Sequence, residues 1–222
     1  MNLAQLQDFF HGLVDDNLDE DLELALANSA KDEIEGEQDW EALKSLDETQ
    51  SSSASDDYKT GPKTLPSDYL HTCNNGDGLY IGGDRQAYKQ IPFEKREEFQ
   101  NTAKRWYLDL KNSRYYVAAT NVSGTHHHFY IARSADIVAG ASSLWGFPSR
   151  YDKLIGYRMA KLFYAVDRGE KSRSWDDRWA IEEGILHNSL VKWNWRVQGK
   201  SYANAVRGTD IDSLPDAVSM RG

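Results

Sequence analysis

Apolar residues recur at helical intervals near both ends of the chain and at strand intervals between them. Leu3, Leu6, Phe10 and Leu13 fall on one face of a short helix. After the Asp15-Asp16-Asn17 break, Leu18, Leu22, Leu26 and Ser29 continue a second stripe. Asp19, Glu20 and Asp21 stand where the positive end of a helix dipole favours acidic groups. Two packed helices are expected, followed by a small apolar patch at Trp40, Leu43 and Leu46.

The pattern then changes twice. "DETQSSSASDDYKTGPKT" is polar and aperiodic, which predicts a long loop. From "LPSDYL" onward, "GLYIGG", "RQAYKQI", "RYYVAA" and "HHFYIAR" are rich in Tyr, Val and Ile and end near Gly, Asn or Ser, as short antiparallel strands do. "PFEKREEFQNTAKRWYLDLKN" opens with a proline suited to a first helical turn. It sets Phe99, Ala103, Trp106 and Leu110 on one face, so a helix is expected to interrupt the strands.

The C-terminal third reads as a helical hairpin. Pro148 and Ser149 precede a stripe of Ile155, Met159, Leu162, Phe163 and Val166, which stops at "DRGEKS". A second helix is expected from "SWDDRW", with Trp179, Leu186, Leu190, Trp193 and Val197 on its stripe and Asp176 and Asp177 in its first turn. The tail has no period, but Tyr202, Val206, Ile211, Leu214 and Met220 are spaced apolar anchors suited to docking on another surface.

The expected fold is a mainly α helical bundle with a small inserted antiparallel β region, α+β overall. Residues 1–47 form the N-terminal helices, 48–64 a polar loop and 65–147 the β-rich insertion with one helix. Residues 148–198 form the C-terminal hairpin and 199–222 an extended docking tail. The expected bundle core is Leu3, Leu6, Phe10, Leu22, Leu26, Ile155, Met159, Leu162, Phe163, Trp179, Leu186, Leu190 and Trp193.

Charge sharpens this picture more than composition does. Residues 1–57 hold 17 acidic residues and two lysines, a local charge of −15; the chain total of −9 therefore leaves +6 on residues 58–222. The acidic part repels nucleic acid, and the rest has no Lys/Arg cluster or zinc-finger pattern, which argues against sequence-specific DNA binding. No apolar run nears the roughly 20 residues of a membrane helix, and the start lacks a signal-peptide pattern, so a cytoplasmic site of synthesis is expected. One cysteine allows no internal disulfide, so packing or partners must supply stability.

Candidate chemistry centres on "GTHHHFYIAR". On a strand, His126 and His128 point one way and His127 the other, so the three cannot ligate one ion. The simplest reading is a strand with polar residues exposed at its start. Glu183 and His187 lie one helical turn apart, with Glu182 beside them, but no nucleophile accompanies them and such a pair steadies a helix. "GLYIGG" lacks the lysine and following helix of a phosphate loop and reads as a turn. Ser67 and Asp68 near His71 lack a nucleophile elbow. Trp175, Trp179, Trp193 and Trp195 suit core packing and subunit contact better than base stacking, which needs a basic groove. No catalytic residue, metal ligand or cofactor is expected.

The order of these segments resembles the head–tail adaptor (connector) proteins of tailed bacteriophages. The resemblance rests on the N-terminal helix followed by "ALANSAKDEIEGEQDWEAL", on "LPSDYL" leading into strands, on "FPSRYDKLIGYRMAKLFYAVDRG", and on the Trp-rich helix after it. It implies a structural virion protein of the neck. Such a protein forms a ring of about twelve copies beneath the portal, a closed cyclic assembly that leaves a DNA channel. The tail, with Tyr202, Val206, Ile211, Leu214, Met220 and Arg221, would then dock on the portal ring. Neighbouring copies would hold the loop around Ser51, and a tail-proximal stopper or tail protein would bind below. Genomic DNA would pass without sequence-specific contact, eased by an acidic lumen. The alternatives are a stopper or tail-completion protein, a histidine-dependent metal hydrolase, and an acidic regulator that mimics DNA.

Overall fold

The protein is mixed α+β, with four helices and two small sheets among the described residues. The computed structural model describes residues 1–14, 18–53, 61–100, 102, 104–118, 122–166 and 172–198, with backbone alone at 166 and 172–178. The chain divides into two compact units. One joins Met1–Ala30 to the chain from Ile137 onward, and the other is Lys31–Asp136.

The first unit holds helices α1 (Leu3–Val14), α3 (Lys153–Val166) and α4 (Ser172–Val197), with the first part of α2 (Glu20–Gly36). Helix α1 buries Leu3, Leu6, Phe10 and Leu13, the stripe expected from spacing. Helix α3 packs on both α1 and α4, burying Leu154, Ile155 and Met159 while Leu162 and Phe163 are half-buried. Gly156 permits the close approach to α1, because a Cβ there would stand 2.5 Å from the Phe9 ring. Phe9 meets Tyr157 edge-on at 5.1 Å, and Phe10 meets Phe163 at 6.2 Å. On α4, Leu190 is fully buried; Trp179, Leu186 and Trp193 are half-buried; and Val197 is exposed. Helix α4 starts at Ser172, a turn ahead of Asp176, so the two aspartates fall outside its first turn. Asp152 ties the unit to its own beginning: it takes the Met1 ammonium at 2.5 Å and the Trp145 indole N–H at 2.9 Å.

Helix α2 corrects the expected core. Leu22 is 48% exposed, Leu26 is half-buried, and Ser29 is exposed. The buried face runs through Glu23, Ala27, Ala30, Lys31 and Ile34. Polar anchors decide this orientation. Glu23 accepts from Gln7 at 2.9 Å and bonds His11 at 2.5 Å, and Asn28 bonds the backbone of Ile137 in both directions, at 3.0 and 2.8 Å. Buried polar groups need these partners, and no leucine spacing reveals them.

The second unit is built on strand β9 (Gly124–Ala132). Strands β1 (Lys44–Asp47), β2 (Ser51–Ser52), β4 (Tyr69–Thr72) and β5 (Leu79–Ile81) all pair antiparallel to it. Asp47 of β1 and Leu79 of β5 both face His128, so β9 is paired along both edges. Gly124 and Gly82 fix where β9 begins: both have positive φ, and a Cβ on Gly124 would lie 2.8 Å from the Gly82 Cα. The second sheet takes the order β3 (Lys63–Thr64), β8 (Arg114–Val117), β7 (Arg105–Asp109), β6 (Lys89–Gln90). A shared core of Leu65, Leu79, Ile81, Trp106, Tyr115 and Val117 joins residues of both sheets. At the end of β9, Lys31 is fully buried and donates at 2.9 Å to the carbonyls of Ser134 and Ala135. Glu35 accepts from the Ser134 backbone and hydroxyl. Burial pushes the Glu35 carboxyl up, and these bonds only partly offset it.

Three further expectations change. In place of the helix expected over Phe99, Ala103, Trp106 and Leu110 there is a short 3₁₀ turn at Phe93–Lys95, strand β7 with Trp106, and a second 3₁₀ turn at Leu110–Asn112; Ala103 lies outside the described residues. Lys104 is left-handed at φ 57°, which stops a helix, and "RWYLD" is aromatic-rich and fits a sheet. The first 47 residues end in strand β1, not helix, with Trp40 and Leu43 buried but Leu46 exposed. The polar stretch contributes β2 and β3, and residues 54–60 lie outside the described residues.

In the chain alone, Ile34→Ala should lower stability by about 2–5 kcal/mol through a core cavity. Leu22→Ala should cost less than about 0.5 kcal/mol. Urea midpoints check this, and equal losses would contradict the orientation of α2.

Candidate functional site

The three histidines alternate as expected along β9, but two of them are fully buried. His126 and His128 are 0% exposed and point between the sheets, while His127 is half-buried and bonds Glu48 at 2.6 Å. The expectation of exposed polar residues at the strand start is therefore wrong. Hydroxyl groups distant in sequence make the burial affordable. Ser52 Oγ bonds His126 Nε2 at 2.7 Å, and Tyr115 OH bonds His126 Nδ1 at 2.7 Å. Thr72 Oγ1 bonds His128 Nε2 at 2.8 Å and Tyr69 OH at 3.1 Å.

His128 is the least accommodated group of the cluster. Its Nδ1 has no hydrogen-bond partner, and neither does Oδ2 of Asp47, the residue facing it across the β1–β9 ladder. Rings of Trp106, Tyr115, Tyr69 and Tyr130 surround it, with centroids 5.3 to 5.9 Å away. Burial pushes its pKa down to about 4, only partly offset by the Asp47 charge. The imidazole is thus neutral at pH 7. The same burial, reinforced by Asp47, raises the Tyr115 phenol far above its usual range. These groups act as neutral hydrogen-bonding partners in a core. Both Nε2 atoms are committed to hydroxyls on different strands, and no cluster of three metal-binding side chains occurs among the described residues.

The other candidates separate in space. His71 bonds Asp39 at 3.0 Å, whereas Asp68 accepts from Tyr130 at 3.0 Å. Burial pushes the Asp39 carboxyl up, but His71 and the Asn74 N–H together bring it below its usual range. Glu183, 8% exposed, receives Arg158 Nε of α3 at 2.5 Å, and Glu182 accepts from Tyr157. Both carboxylates thus join α4 to α3. "GLYIGG" is strand β5 and the turn at Gly82.

Surfaces carry more information than cavities do. On α4, Ile181 and Ile185 are each 64% exposed, opposite the face that buries Glu183 and Leu190. Spacing around the Trp179–Leu190 stripe hides this second face, although its four-residue interval is visible in the sequence. In the sheet unit, exposed Phe93 and Leu110 line an open groove of about 460 Å³ with Ile91, Leu108 and Lys111. The spacing that places Leu110 on a helix face hides that groove.

No protein-family model and no curated protein matches the chain. The tail anchors Tyr202, Val206, Ile211, Leu214, Met220 and Arg221 lie outside the described residues, as does the side chain of Trp175. No described helix is long and apolar enough to cross a membrane.

The depressed His128 pKa makes stability pH-dependent with a definite sign. The folded state holds a neutral ring where the unfolded chain would protonate near 6.5, so this contribution is complete above pH 6.5 and lost as pH falls to about 4. The loss should amount to a few kcal/mol, and His128→Gln should show a shallower decline over that window. Urea unfolding at steps of pH measures it, and identical slopes would contradict the burial argument.

Proposed function

We propose that this chain is a structural virion protein, the head–tail adaptor of a tailed phage. It forms a ring beneath the portal and links the capsid vertex to the tail around a DNA channel. The observation that carries this reading is the construction of the helical unit from the two chain ends. Residues before Ala30 and after Ile137 form one unit, with the sheets inserted between them. That is the order the adaptor resemblance implies. Helix α4, 26 residues and roughly 39 Å long, has an exposed face and leads directly into the apolar-anchored tail.

Each part then has a role. The tail from Ser201 docks on the portal ring, the helical unit faces its neighbours, and the acidic N-terminal segment keeps the lumen from holding DNA. Like charge lowers the affinity of a channel wall for phosphate and lets the polymer slide. The neck of the virion is the location this reading assigns, with a stopper or tail protein as the partner below.

Native mass spectrometry of the chain mixed with the portal ring of the same particle tests the proposal. The expected product carries about twelve copies of the chain, set by the ring symmetry. Removing residues 201–222 should abolish joining while leaving the far-UV circular dichroism helical. A chain that never joins the portal, or joins equally well without its tail, would contradict it.

A further inference from the structure

Among the described residues, the helical unit carries an apolar pair at the surface of α2 and another on α4. On α2 they are Leu22, 48% exposed, and Leu26, half-buried, which flank the buried face of Glu23, Ala27 and Ala30. On α4 they are Ile181 and Ile185. Each stripe is a pair spaced by four residues, so the apolar side chains repeat at the same interval of about 6 Å. Their flanks carry opposite charge. Exposed Asp19, Glu20 and Asp21 precede the α2 stripe, and exposed Lys192 and Arg196 follow the α4 stripe. Laid antiparallel, Leu22 meets Ile185, Leu26 meets Ile181, and the acidic first turn of α2 approaches the basic last turns of α4. The helix dipoles also oppose in that arrangement, with each acidic or basic flank at its favoured terminus.

We infer that the Leu22–Leu26 stripe of one copy packs antiparallel on the Ile181–Ile185 stripe of the next copy. The contact joins two different surfaces and is therefore heterologous, the kind that propagates head to tail and forms a ring where its rotation closes. Each copy offers α2 to one neighbour and α4 to the other. The inference rests on the adaptor reading for its assembly and adds the surface that makes it. It also gives a role to a leucine stripe that is legible in the sequence and lies at the margin of the buried face of α2.

Cysteine cross-linking tests it. The Leu22→Cys/Ile185→Cys double variant, treated with a short bismaleimide alone at high concentration and on the portal ring, should give a ladder of dimers, trimers and larger species. Each single variant should remain monomeric, which also controls for buried Cys73. Adding Asp21→Arg to the double variant should remove the higher bands. Circular dichroism of every variant confirms folding. A double variant that joins the portal without giving a ladder overturns the contact and leaves the adaptor reading intact. Single variants that cross-link into dimers overturn it too, because that result means a twofold contact. A ladder in a chain that never joins the portal sustains the contact and overturns the adaptor reading. Neither ladder nor joining overturns both.

Discussion

Strand β9 is the constraint on which the sheet unit depends. Four strands pair to its two edges, so its alternation decides what lies between the sheets. That alternation places His126, His128 and Tyr130 inward. A buried imidazole is tolerable only when neutral and hydrogen-bonded, so the chain must bring Ser52, Thr72 and Tyr115 to these rings from three separate segments. The histidine run that suggests metal chemistry in the sequence is a register device in the fold. A one-residue slip of β9 would bury Thr125, His127 and Phe129 instead and strand those hydroxyls without partners.

The helical unit depends on contacts between segments far apart in the sequence. Asp152 binds the first residue and Trp145 together, and α3 supplies the surface on which α1 and α4 pack. Arg158 and Tyr157 on α3 engage Glu183 and Glu182 on α4, so the hairpin is registered by directional bonds as well as by packing. Polar registration leaves apolar residues unspent on the outer faces of α2 and α4. In a chain read as a ring subunit, those faces are where neighbours are expected, and the tail beyond α4 is where the portal is expected.

The legible and illegible parts of the fold divide along physical lines. Helical stripes of large residues predicted α1 well and α3 in part, where Ile155 and Met159 are buried but Leu162 and Phe163 are half-buried. Leu22 and Leu26 misled because Glu23, Asn28 and Lys31 orient α2 through polar bonds to distant segments. The Phe99–Leu110 spacing predicted a helix where Trp106 is wanted in a sheet core, its indole N–H reaching the Gly76 and Tyr88 carbonyls at 3.0 and 3.1 Å. Long-range partners of that kind leave no periodic trace. The burial of His126 and His128 was illegible for the same reason, while their shared face followed directly from strand geometry.

We propose that this chain stands in the neck of a phage particle, between portal and tail. Electron cryomicroscopy of the intact particle, focused on the portal vertex, tests it most directly. The expected map holds a ring of this chain beneath the portal, with the helical unit at the subunit contacts and the C-terminal segment against the portal. A vertex without the chain, or the chain found elsewhere in the particle, would contradict it.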